Sequence, residues 1–64
     1  MRVRLEEGEV FEPIVYDGAQ MQLLKGVLLV QWPSGSERME SPYVGQMPDV
    51  AMKSVEGAAI LYLS

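Results

Sequence analysis

The chain predicts an all-β domain: a small barrel or compact sandwich of five to six strands. Three observations carry that expectation. Apolar and polar residues alternate in short runs such as "MRVRL", the period of a strand with one buried face. Glycine, proline, aspartate and serine recur between those runs at roughly eight- to twelve-residue spacing, which marks turns. At 64 residues, the chain has room for one small domain over 1–64 and no second.

In order, residues 1–5 predict the first strand, with Met1, Val3 and Leu5 on one face and Arg2 and Arg4 on the other. Residues 6–9, "EEGE", predict a turn, because Gly8 takes positive φ without steric cost. Residues 10–16 are rich in strand formers, but Pro13 lacks a donor and places them at an edge or a bulge. Asp17-Gly18 is a hairpin signal. Residues 20–32, "QMQLLKGVLLVQW", predict the central strand. One face carries Leu24, Gly26, Leu28, Val30 and Trp32; the other carries Leu23, Lys25, Val27, Leu29 and Gln31. A strand apolar on both faces lies between two layers or at a subunit interface. Leu23, Val27 and Leu29 are therefore the expected oligomer contacts.

Pro33 stops that strand, and 33–36, "PSGS", turn the chain. Residues 37–40 return as a short strand. Residues 41–49, with two prolines and a glycine, predict a loop holding one 3₁₀ turn at 42–44. Residues 50–55 and 58–64 predict the last two strands, joined by a turn at 56–57. The alternative places a short helix over 18–26 or 47–54, where Asp49 is a candidate N-cap.

Composition excludes several classes of function. There is no cysteine and no histidine, so no disulfide forms and the usual zinc ligands are missing. No metal or cofactor is expected. Nine acids against five bases give a net charge of −4, which disfavours direct binding to nucleic acid or to an anionic membrane. No apolar run approaches the roughly 20 residues of a membrane helix, and no signal peptide is visible. The expected location is the cytoplasm. Ser34, Ser36, Ser41 and Ser54 have no histidine base, and no glycine-rich loop has phosphate-cradle spacing. The chain is not expected to be an enzyme.

The acids Glu6, Glu7, Glu9, Glu12 and Asp17 fall within twelve residues. They read as a solvated turn and a protected strand edge; the alternative is an acidic face that mimics nucleic acid. Met21, Met39, Met47 and Met52 read as fillers of irregular gaps, the alternative being an adaptable binding surface.

The aromatic residues are the most informative set. Tyr16, Trp32 and Tyr43 each sit beside a turn, and Pro42 precedes Tyr43. Aromatic rings beside the loops of a small β domain line peptide grooves, because flat faces bury area at low entropic cost. The order "VYDGA", "VQW", "SPYV" faintly resembles the peptide-binding elements of SH3 domains. It differs in lacking the paired tryptophan and the acidic loop after the first motif. The resemblance implies an SH3-like barrel with Tyr16, Trp32, Pro42 and Tyr43 as partner-binding residues.

The expected function is that of a small protein–protein interaction module, a regulator or inhibitor that docks on a larger assembly. Its apolar content, 48%, is generous for so short a chain and predicts a homo-oligomer. The alternative is a structural component of a symmetric oligomer.

Overall fold

The structure, a computed structural model, describes residues 1–13 and 18–64. Among them are eight strands and no helix. These are β1 (Arg2–Leu5), β2 (Val10–Phe11), β3 (Gln20–Lys25), β4 (Val27–Trp32), β5 (Gly35–Glu40), β6 (Tyr43–Gln46), β7 (Met52–Ser54) and β8 (Ala59–Leu63).

The architecture follows from one long hairpin folded onto itself. Its tip is the turn at Pro33 and Ser34, where Trp32 pairs with Gly35. Away from the tip the two arms pair antiparallel in succession: β4 with β5, β3 with β6, β2 with β7 and β1 with β8. Successive pairs belong alternately to two sheets. Cross-pairings of β3 with β8 and of β4 with β7 complete the orders β1-β8-β3-β6 and β2-β7-β4-β5. Eight strands in this order form the jelly-roll arrangement. The sheets face one another in a body of 27 × 25 × 18 Å.

The all-β expectation is met by the sandwich and not by a closed barrel, and there are eight strands where five to six were expected. Two elements account for the difference. The run 20–32 is not one strand but two. Gly26, at φ +97°, is the corner where the chain leaves one sheet for the other. On the returning arm the matching corner is Ser41, whose N–H donates to the Gly26 carbonyl at 3.2 Å. The second element is β6, which occupies part of the expected 41–49 loop and replaces the expected 3₁₀ turn at 42–44. It is an edge strand, where prolines and glycine are tolerated because only one side must pair. The alternative helices are absent: 20–25 and 52–54 are strands. Asp17 and Tyr16 lie outside the described residues.

Both sheets contribute to one core. Met21, Leu23, Leu61, Leu63, Ala59 and Leu5 come from β3, β8 and β1; Leu28, Val30 and Met52 face them from β4 and β7. Ser54 is the buried polar side chain, and its hydroxyl donates to the Gly57 carbonyl at 2.8 Å. Met21 and Met52 are fully buried and Met47 nearly so, as gap-filling predicts. The core removes Leu23 from any subunit interface: it is 0% exposed within its own chain. Because Gly26 breaks the alternation, Leu23 does not share a face with Val27 and Leu29. Those two lie half-buried on the outer face of the β2-β7-β4-β5 sheet. The register sets Leu29 between Lys53 and Arg38, whose aliphatic stems suit them to flank an apolar neighbour.

Candidate functional site

The sandwich is open along one side, where the edge strands β5 and β6 face each other across the gap between the sheets. There the structure forms a cleft of about 410 Å³, lined among others by Trp32, Glu37, Met39, Tyr43, Met47 and Asp49.

Each side chain reaches the cleft for a reason set by the strand period. Residues paired across strands share a face. Glu37 pairs with Val30 and Met39 with Leu28, both core residues, so Glu37 and Met39 face inward. Tyr43 pairs with the buried Leu23 and also faces inward, at the edge of the other sheet. Trp32 ends β4 on the inner face, two positions beyond Val30.

Both aromatic rings have their polar tips satisfied. Trp32 Nε1–H donates to Glu37 Oε1 at 2.9 Å, a diagonal contact across the hairpin tip. The Tyr43 hydroxyl donates to the Gln46 carbonyl at 3.1 Å. That bond folds the phenol over Gly45, where a Cβ would lie 2.8 Å from the Tyr43 oxygen. The glycine is required there to make room for the ring. With their donors engaged in these bonds, Trp32 and Tyr43 line the cleft through the rest of their side chains.

Of the four expected partner-binding residues, Trp32 and Tyr43 come together. Pro42 is exposed beside Tyr43 and is not part of the lining, and Tyr16 lies outside the described residues. Glu37 was not singled out from sequence, and Asp49 only as a candidate helix N-cap, not as a site residue. For Glu37 a signal was present: a turn at Pro33 and Ser34 makes Trp32 and Glu37 diagonal neighbours. For Asp49 there was none, since only the packing of the 47–49 segment brings it to the cleft.

The N-terminal acids are occupied locally. Glu6 pairs with Arg4 at 2.9 Å, the Glu9 carboxylate accepts from the Glu6 N–H at 2.6 Å, and the Glu7 carboxylate accepts from the Gly57 N–H at 3.1 Å. These bonds tie the β1–β2 turn together and to the β7–β8 turn, which is a structural use of the acids. No group of three potential metal ligands occurs among the described residues, nor any helix long and apolar enough to cross a membrane.

The chain matches no known protein family, no curated protein and no solved structure.

Proposed function

We propose that this protein is a small interaction module whose cleft binds an extended segment of another protein. It acts as a cytoplasmic, non-enzymatic regulator or inhibitor that docks on a larger assembly. A jelly-roll arrangement alone does not specify this. The observation that carries the reading is the meeting of Trp32 and Tyr43, from opposite sheets, in one open cleft with Met39 and Met47 beside them. Rings held by their own polar tips are rigid, so a ligand orders few side chains on binding. The methionines supply adaptable apolar contact. Selection from a displayed random-peptide library tests the reading. Enriched peptides are expected to shift the emission of Trp32 and to lose affinity for Tyr43→Ala. Absence of enrichment, or binding indifferent to both rings, overturns it.

Self-association, as in a structural component, is the second reading. A different surface favours it: the outer face of the β1-β8-β3-β6 sheet. Across it run Arg2, Tyr62, Gln22 and Val44 in one register row and Arg4, Ile60 and Lys25 in the next. The bulge between Leu23 and Lys25 turns Leu24 outward as well. Val44 is 73% exposed. These four strands contain three bases and no acid. The remainder of the chain therefore holds nine acids and two bases, and a second copy offers a surface of complementary charge. Association that grows with concentration, weakens with salt and disappears in Val44→Glu supports this reading. A monomer at every concentration and salt ends it.

A further inference from the structure

We propose that the cleft receives the cationic side chain of an arginine or lysine in a bound peptide, an inference that rests on the peptide-binding reading above. Glu37 is the starting point. Its strand partner Val30 is 1% exposed, so Glu37 lies on the inner side of β5, and as an exposed residue it stands at the rim of the cleft. Oε1 accepts from Trp32 Nε1; Oε2 has no partner among the described residues.

No cation of the chain serves it. The ion pairs of the described residues join Arg4 to Glu6 and Arg38 to Glu40 and Glu56. Arg38 and Lys53 pair with Leu29, on the face of their sheet opposite to Glu37. Asp49 adds a second acid to the lining, and no lysine or arginine lines the cleft at all. Trp32 and Tyr43 line the same cleft, and an aromatic ring attracts a cation placed over its face. A cation entering here meets a carboxylate oxygen with open capacity and two aromatic side chains. An anionic side chain meets two like charges. A neutral apolar side chain gains the contact with Trp32, Tyr43 and the methionines but nothing from the two carboxylates.

The chain has one tryptophan, so Trp32 emission reports occupancy without a label. The probes are three capped peptides identical except at one proline-flanked position. It holds arginine, citrulline (the same shape without the charge) or glutamate. The arginine peptide is expected to bind about tenfold more tightly than the citrulline peptide, with glutamate weakest. Glu37→Gln keeps an acceptor for Trp32 Nε1 and is expected to bring the ratio of arginine to citrulline affinity close to one. Asp49→Asn, on an exposed residue, is the second variant and is expected to reduce the preference by a smaller factor. Equal binding of arginine and citrulline peptides overturns the cationic assignment and leaves the peptide-binding reading standing. Absence of arginine-peptide binding, with peptides still enriched from the library, also overturns it. Failure of both experiments removes both proposals.

Discussion

Gly26 sits against the backbone of Ala59 so closely that a Cβ on the glycine would lie 2.8 Å from the Ala59 Cα and 2.9 Å from its Cβ. The Ala58 carbonyl oxygen would be 2.7 Å away. The corner between β3 and β4 therefore needs glycine twice, for its φ of +97° and for its lack of a side chain. Gly26→Ala is expected to cost about 2–4 kcal/mol, combining left-handed strain with overpacking against rigid backbone. Gly8→Ala is the control. Gly8 has φ +90° but nothing within 4 Å of its added Cβ, so only the conformational cost of about 1–2 kcal/mol remains. Urea unfolding of both variants checks this, and equal losses would contradict the close-approach account.

Leu23 and Leu29 separate core from surface. Leu23→Ala empties a fully enclosed position and is expected to cost about 2–5 kcal/mol. Leu29, half-buried on the outer face, is expected to cost about 1 kcal/mol on truncation. Thermal unfolding of the two variants distinguishes them. A larger loss at Leu29 would mean that its face is covered more completely than the single chain covers it.

Ser54 holds a turn from inside the core. Its hydroxyl, in a 0% exposed residue, donates to the Gly57 carbonyl. Ser54→Ala is expected to destabilise by about 1 kcal/mol, since the exposed Gly57 carbonyl recovers a water while the hydroxyl is deleted. Amide exchange should quicken at Gly57, whose N–H bonds Glu7 of the neighbouring β1–β2 turn. Unchanged exchange there would show that the hydroxyl does not hold the turn.

Gly45 governs the position of the Tyr43 ring. Gly45→Ala is expected to push the phenol off the strand and break its bond to the Gln46 carbonyl. Library-selected peptides should then bind several-fold more weakly, while the unfolding midpoint changes little because β6 is an edge. Full retention of affinity with a demonstrably displaced ring removes Tyr43 from the binding surface.

Arg38 bears on pH. Hydrogen bonds first with Glu40 and then with Glu56 hold its guanidinium above its ordinary pKa. A base raised on folding contributes stability that is complete below its unfolded pKa and is lost only as pH rises through the folded value. Both values lie far above neutrality. The stability difference between wild type and Arg38→Gln is therefore expected to be constant through the neutral range. It should also be small, because the pairs are exposed and screened. A difference that varies with pH near neutrality would point to another titrating group in contact with Arg38.

How much was legible beforehand depended on range. β1, β7, β8 and most of β5 follow from local alternation between turn residues, and a turn within 33–36 follows from local chemistry, although it is confined to Pro33 and Ser34 and β5 already begins at Gly35. β6 was missed because the prolines beside it, Pro42 and Pro48, and its own Gly45 argue against a central strand but not an edge, and edge status is a property of the sheet. Gly26 was read as one position within a single strand over 20–32, since alternation continues through it in composition even though the chain changes sheets.

The sequence by itself determined the strand-forming class, the absence of histidine and cysteine chemistry, and the place where the chain doubles back. Those are properties of residue type and short-range period. The tertiary structure alone decided that Leu23 is core while Val27 and Leu29 face outward. It alone decided that Trp32, Glu37, Tyr43 and Asp49 share a cleft. Trp32 and Glu37 meet through the hairpin tip, a local relation. Tyr43 and Asp49 reach them only because successive rungs of the long hairpin fall in opposite sheets, and that alternation depends on contacts such as Gly26 against Ala59, between residues far apart in the chain.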